Sequence, residues 1–207
     1  MFETFRNAWK NEDLRKRILF TIFIIVIYRI GSVFIPVPFL DGEVLKLMLE
    51  QNGGSILSYM DILSGGSLAN ATVFALSITP IINAQIIMQL LTYALPPLER
   101  ISKEGETGRK RIQKITDFVA IGIALLQGFG YYVIMRNYNA VQYVGGGEGA
   151  FAMVVIIACF VAGSSIVVWL GNQINEFGLG NGISLILFAG IIARGPSELL
   201  KLITLVK

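Results

Sequence analysis

Apolar and polar positions alternate along this chain in long blocks, and the apolar blocks set its predicted architecture. A helix that crosses the hydrocarbon core of a membrane needs about 20 mostly apolar residues. Runs of that kind predict an all-α polytopic membrane protein with five transmembrane helices, at 18–35, 73–95, 115–135, 151–170 and 183–207, the last of which includes an external tail. The intervening polar segments are a leader at 1–17 and loops at 36–60, 96–114, 136–150 and 171–182.

The stretch 61–97 is apolar but too long for one span, and it is interrupted at Gly65-Gly66 and at Pro80. Proline lacks the backbone donor that a helix needs and clashes with the carbonyl four residues earlier. The pattern therefore predicts a half-inserted helix at 61–72, a bend, and a full second span at 73–95. Irregular backbone at membrane depth is tolerated only where protein or a watery cavity covers it. We expect this segment to line a pathway.

One stripe of the second span supports that expectation. Ile78, Ile82, Gln85 and Gln89 follow helical spacing and share one face. The stripe is typical of a conduit with a dry constriction and a wettable half. An interface in which the glutamines hydrogen-bond to neighbouring helices explains the spacing equally well.

Charge sets the expected orientation, because lysine and arginine are enriched in cytoplasmic loops. Basic residues crowd the leader and the 96–114 loop, whereas the loops expected on the opposite side, 36–60 and 136–150, hold only Lys46 and Arg136. The amino terminus and the 96–114 loop are therefore expected to be cytoplasmic, and the leader to lie on the membrane surface as an amphipathic helix. Arg29 falls inside the first span, where we favour a structural role.

Composition excludes several function classes. The chain is 54% hydrophobic and 15% charged, with no histidine and one cysteine, Cys159, and its mean hydropathy is +0.67. It cannot supply a histidine-based catalytic dyad or histidine zinc site. Asp61 and Asp117 are expected on opposite sides of the membrane, so they cannot form an aspartyl pair. We expect no enzyme activity, no cofactor and no metal.

Two non-enzymatic alternatives to a conduit stay open. A small-solute or ion carrier also uses broken helices, and Ser77, Thr79 and Asn83 would then contact its substrate. A non-conducting membrane scaffold needs only the packing. Isoleucine is a poor ion ligand and suits a seal that gates by dewetting, which favours a conduit.

Four motifs in order resemble the amino-terminal half of the SecY family, which forms the central subunit of the bacterial protein-translocation channel. They are YRIGSVFIPVP (28–38), LSGGSLANATVFALSITPIINAQIIMQLLT (63–92), KEGETGRKRIQKIT (103–116) and WLGNQINEFGLGNGISLILFAGI (169–191). The resemblance covers essentially the whole chain. It implies five spans of a ten-span channel built from two inverted halves, in the bacterial cytoplasmic membrane.

The resemblance also implies roles for particular residues. The half-inserted helix is similar to the family's plug, here Gly65, Gly66, Ser67, Leu68, Ala69 and Asn70. Positions of the family's pore ring correspond to Ile78, Ile82, Ile183 and Leu187, and lateral-gate positions to Asn83 and Gln127. A cytoplasmic partner would contact Arg100, Lys103, Arg109, Lys110 and Arg111, although these residues could equally serve only to fix topology.

The implied mechanism is passive gating. An unfolded polypeptide carrying a signal sequence displaces the plug and passes the isoleucine ring, and a hydrophobic segment leaves sideways into membrane lipid. The implied partners are the carboxyl-terminal half of SecY, SecE, SecG, and the SecA motor or a ribosome. Ile156, in the fourth span, is expected to face lipid.

Overall fold

A computed structural model describes residues 11–51 and 56–205; for residues 50, 56–57 and 194–205 it describes the backbone alone. The described chain is helical and carries only isolated β-bridges. Its helices are α1 Glu12–Phe34, α2 Gly42–Gln51, α3 Ile56–Leu63, α4 Thr79–Ala94, α5 Pro96–Lys103, α6 Glu106–Asn137, α7 Gly146–Phe177 and α8 Gly182–Leu205. The predicted leader lies mostly outside the described residues; its last residues belong to α1.

Helix α1 buries one face against the protein and leaves its other apolar side chains exposed. Asn11 caps its first turn by accepting a hydrogen bond from the Asp13 backbone, and Glu12 adds negative charge there. Its buried residues, including Ile24 and Tyr28, recur at helical spacing on one face. The remaining apolar side chains stay exposed, as expected of a helix surrounded by lipid.

Three helices in the described part of the chain, α1, α6 and α7, are long and apolar enough to cross a membrane. Helices α4 and α5 meet at a bend of 100° and together could form a fourth span. Helix α8 contributes a shorter apolar stretch, Gly182–Ala193. By length and composition, this gives up to four spans where the sequence predicts five.

The broken segment differs from its prediction in two respects. The predicted half-helix at 61–72 is wrong, because α3 ends at Leu63 and residues 64–78 form consecutive turns. The second long helix begins at Thr79 rather than at residue 73. Pro80 lies in its first turn, where the missing N–H would be unsatisfied anyway, so this proline starts a helix instead of kinking one.

The predicted loops also contain helical structure. The 36–60 segment holds α2 and most of α3, and the 96–114 segment holds α5 and the first turns of α6. Helix α5 turns back after Lys103, and Gly105, at φ +78°, provides the left-handed backbone of that turn. The basic segment is therefore a helical hairpin.

Two hydrophobic clusters hold the bundle together. One contains α2 and the adjoining parts of α6 and α7, with Tyr131, Phe160 and Ile156 among its buried residues. The prediction that Ile156 faces lipid is wrong, since its side chain is 0% exposed. The second cluster joins α1, α4, α6, α7 and α8 around Tyr28 and Ile81.

Candidate functional site

Irregular backbone at residues 64–78 lies buried among the helices. Its own turns satisfy part of its polar groups, because Gly66 N–H donates to the Asp61 carbonyl and Thr72 N–H donates to the Ser67 carbonyl. The Asp61 carboxylate, 2% exposed, accepts a hydrogen bond of 2.8 Å from the Ala69 N–H. A buried carboxylate that binds backbone in this way fixes the shape of the segment.

Helix α1 binds both ends of the segment through Tyr28. The Tyr28 hydroxyl donates to the Ser64 carbonyl at 3.3 Å and lies 3.1 Å from the Ser77 hydroxyl oxygen. Its ring is fully buried and stacks on Phe74 with ring centroids 5.8 Å apart. Ser77 has φ +48°, which is unusual for a residue other than glycine, and the hydroxyl contact supports that conformation.

Arg29 contributes the next contact along α1. Its guanidinium donates to the Gly65 carbonyl at 3.1 Å, which agrees with the structural role expected for it. Gly65 has φ +68°, and a Cβ atom there would lie 2.7 Å from the Arg29 nitrogen and 3.0 Å from the Cα of Gly190 in α8. The chain at Gly65 is thus wedged between α1 and α8, and only glycine fits without displacement.

Residues 72 and 73, in the second half of the segment, hydrogen-bond to the end of α1 and to the residue that follows it. Thr72 forms an antiparallel bridge with Pro36, and its hydroxyl donates to the Ser32 carbonyl at 3.3 Å. The Val73 N–H donates to the Ile35 carbonyl at 3.1 Å. Helix α1 contacts residues 64, 65, 72 and 77, and Ile35 directly after it contacts residue 73, so this part of the chain acts as the scaffold of the whole segment.

The apolar residues expected to form a ring lie together directly after this segment. Ile78 and Ile183 are 2% and 6% exposed and belong to one hydrophobic cluster, against which Ile82 and Leu187 pack with partial exposure. The structure therefore places Ile78 and Ile82, at the start of α4, in the same hydrophobic cluster as Ile183 and Leu187 of α8. Residues 105 positions apart in sequence thus share one cluster, and α8 itself packs against α1, α3 and α7.

The amide half of the predicted stripe has different surroundings. Gln85 and Gln89 line a groove of about 630 Å³ between α4, α5 and α6. Neither side chain hydrogen-bonds to another residue in the described ranges. The stripe thus changes from buried isoleucine to open amide, which fits a conduit better than a glutamine-bonded helix interface.

Asn83 and Gln127 are both partly buried on neighbouring helices, α4 and α6. The Gln127 Oε1 atom is buried and has no hydrogen-bond partner among the described residues. A buried amide oxygen without a donor is costly in an apolar environment. The described chain already encloses this oxygen, so a donor from outside can reach it only if the surrounding side chains move.

The basic hairpin splits into paired and unpaired cations. Lys103 binds Glu99 at 2.6 Å, Lys110 binds Glu106 at 2.9 Å, and Arg111 binds Glu104 at 3.3 Å. The Glu106 hydrogen bond raises the pKa of Lys110, and Lys110 in turn lowers the pKa of Glu106.

Arg100 and Arg109 form no ion pair with any described residue. These two arginines are exposed and open to a partner, as is Lys114 at the end of the basic segment. The i, i+4 spacing of glutamate and lysine would have predicted the two lysine pairs.

Sequence reasoning missed Tyr28 and Ser64 as parts of the site and considered Ser77 only as a substrate contact of a carrier. Polar side chains within apolar stretches were the available signal, but nothing local shows that residues 49 positions apart touch. No group of three or more potential metal ligands occurs in the part of the chain that the structure covers.

Comparison with known sequences gives consistent matches. The profile of the SecY family matches residues 72–207. The "Protein translocase subunit SecY" of Escherichia coli K12 is 42% identical over 184 residues, covering 89% of this chain and 41% of that protein. The Streptomyces coelicolor protein of the same name is 39% identical over 207 residues, covering 96% and 47%. The chain spans about half the length of the curated relatives it matches.

Solved structures agree on the fold. A structure described as "The structure of a protein conducting channel" matches with a TM-score of 0.58 at 19% identity, over 85% of this chain and 36% of that one. "Sec61 in the Canine ribosome-channel complex from the endoplasmic reticulum" matches with a TM-score of 0.57 at 19% identity and the same coverage. From its sequence profile, its relatives and this fold, the chain belongs to the SecY family.

Proposed function

We propose that this chain forms one half of the central subunit of a protein-conducting channel in the bacterial cytoplasmic membrane. The observation that carries the proposal is the buried, irregular 64–78 segment lying against a cluster of apolar side chains from α4 and α8. Irregular backbone at membrane depth is tolerated only where protein or a water-filled cavity covers it, as the helices around residues 64–78 do. An apolar constriction beside it is suited to exclude ions by dewetting.

In this proposal residues 65–70 are the movable plug. Gly65 is joined to α1 by a hydrogen bond from Arg29, and the preceding Ser64 by one from Tyr28, rather than by a continuous helix, so the segment can leave without unfolding a span. The closed position is held by Tyr28 and Arg29. A polypeptide entering the pathway replaces those contacts and pushes the segment outward.

The constriction consists of Ile78, Ile82, Ile183 and Leu187, completed by the other half of the subunit. Flexible apolar side chains can adapt to a passing chain of any sequence, because they make no directional bonds. The polar groove at Gln85 and Gln89 is the wettable vestibule leading to it. Asn83 and Gln127 belong to a lateral gate, and opening of the gate exposes the buried Gln127 oxygen to a donor from the opposing half.

Partners follow from the same assignment. The carboxyl-terminal half of SecY completes the pore, SecE and SecG complete the complex, and SecA or a ribosome drives the polypeptide. Arg100 and Arg109 are the strongest candidates for contact with such a driver because their charges are unpaired. The amino terminus is cytoplasmic, as the distribution of basic residues indicates.

A carrier is less compatible with these contacts. Its substrate would need the Ser77 hydroxyl, which already lies within hydrogen-bond distance of Tyr28. A non-conducting scaffold would not require the open groove lined by Gln85 and Gln89. We therefore keep the channel as the proposed function.

Crosslinking tests the proposal directly. Single cysteines replace Ile78 and Ile82 in the complete complex, and a stalled secretory chain is crosslinked to each; the native cysteine is first changed to alanine. Val154, 60% exposed on α7, is the lipid-facing control in place of the buried Ile156. The proposal predicts crosslinks at the two isoleucine positions and none at Val154. Equal crosslinking at all three, or none in an active complex, would contradict it.

A further inference from the structure

A small cavity lies between α6 and α7. Its volume is about 180 Å³. It is lined by four polar residues, Asp117, Ser164, Ser165 and Asn172, and by Ala120, Ile121, Val168 and Trp169. Neither the plug, the constriction nor the basic hairpin uses these residues.

The Asp117 carboxylate is held in place by two amides. Gln113 Nε2 donates to Oδ1 at 3.0 Å, and Asn172 Nδ2 donates to Oδ2 at 3.1 Å. Both donors are neutral, so they orient the carboxylate without cancelling its charge. Within the described ranges, no lysine or arginine forms an ion pair with it. The site therefore offers a fixed negative charge to a cation.

Two further groups at the cavity favour a cationic ligand. Ser164 is only 2% exposed, and its hydroxyl has no hydrogen-bond partner among the described residues. Trp169, on the rim, is 57% exposed, and the face of an indole attracts ammonium groups. A carboxylate, a hydroxyl and an indole together suit an alkylammonium group and disfavour an anion.

The position along the helices identifies the source of the ammonium. Asp117 lies near the beginning of the predicted third span and Trp169 near the end of the fourth, so both belong at head-group depth. Ile121, one turn deeper on α6, is 38% exposed and offers apolar surface for an acyl chain. We propose that this cavity binds the ammonium head group of a membrane lipid such as phosphatidylethanolamine.

Native mass spectrometry tests the proposal on the complete complex. The complex is extracted from vesicles of phosphatidylethanolamine and phosphatidylglycerol in equal amounts, and the lipids that stay bound are counted. D117N removes the charge and keeps a similar shape. E106Q, which removes a charge from an exposed position of the same helix, is the matched control. W169L removes the indole and leaves the carboxylate intact.

We expect D117N to retain about fivefold less phosphatidylethanolamine than the wild type, a typical effect of one partly exposed charge pair. W169L should lose less, E106Q nothing, and phosphatidylglycerol should not change. Equal retention by D117N and the wild type overturns the proposal. Loss of a protein subunit from the D117N complex, rather than loss of lipid, also overturns it. The cation at Asp117 would then be a lysine or arginine of a partner helix. If D117N fails to assemble, unchanged retention by W169L and S164A overturns it equally.

Discussion

The hydroxyl of Tyr28 lies 3.1 Å from the hydroxyl of Ser77, and this contact joins the first span to a residue two positions before the second long helix. The same Tyr28 hydroxyl donates to the Ser64 carbonyl. One side chain of α1 therefore holds both ends of the irregular 64–78 segment. If that segment must leave for a polypeptide to pass, Tyr28 helps to set how readily it does so.

Replacing Tyr28 with phenylalanine should loosen the closed state. The ring and its stacking on Phe74 remain, but the hydrogen bonds are lost, at a cost of about 1 kcal/mol. A difference of that size changes a two-state population about fivefold. We expect Y28F to raise the resting ion conductance of the reconstituted complex by about that factor. Y59F, at a tyrosine that is 61% exposed, should leave it unchanged. A Y28F complex as tight as the wild type would show that the contact does not hold the segment.

Replacing Gly65 with alanine should disturb the same segment by a different route. The left-handed backbone costs about 1–2 kcal/mol for a residue with a Cβ, and the new methyl group would meet both Arg29 and Gly190. We expect G65A to lower the midpoint of thermal unfolding and to increase ion leakage. The matched control is G122A, since Gly122 lies in helix α6 with no atom within 4 Å of an added Cβ.

G122A should be neutral or stabilising by up to about 1 kcal/mol, because alanine favours helix. Equal effects of G65A and G122A on thermal unfolding and ion leakage would mean that the close packing of Gly65 against Arg29 and Gly190 is unimportant. If G65A increases ion leakage but leaves the midpoint of thermal unfolding unchanged, the substitution acts on the closed position of the segment and not on the stability of the fold.

The unpaired arginines of the α5–α6 hairpin should contribute more to partner binding than the paired lysines. R100Q combined with R109Q removes two free cations, whereas K103Q combined with K110Q removes two that already bind glutamates. We expect the arginine variant to weaken binding of the motor or ribosome about tenfold, and the lysine variant to weaken it less. The affinity of detergent-solubilised complexes for each partner, measured at two salt concentrations, checks this. Similar losses in both variants would favour a general charge effect.

The sequence predicts the long apolar helices well but not how the broken segment is built. Hydropathy is a local property, so α1, α6 and α7 follow from it directly. The sequence pattern predicts an interruption at Pro80. Proline is also favoured in the first turn of a helix, and Pro80 lies in the first turn of α4. The turns at 64–78 exist because α1 and α8 supply their contacts, and no local pattern encodes that.

The orientation of side chains was harder to predict than the helices that carry them. Helix α7 is apolar on nearly every face, so periodicity could not show that Ile156 is buried while Val154 is exposed. The proximity of Ile78 and Ile183 came from the family resemblance rather than from spacing. Contacts such as Arg29 with Gly65 needed the tertiary structure.

The ion conductance of a complex in which Ile78 and Ile82 are both serine tests the central claim most directly. The measurement uses reconstituted, resting complexes, with L126S as control because Leu126 is 76% exposed on α6. Hydroxyl groups would wet an apolar constriction, so the account predicts a clear increase in conductance for I78S/I82S and none for L126S. A double variant that assembles, exports normally and stays as tight to ions as the wild type would contradict it.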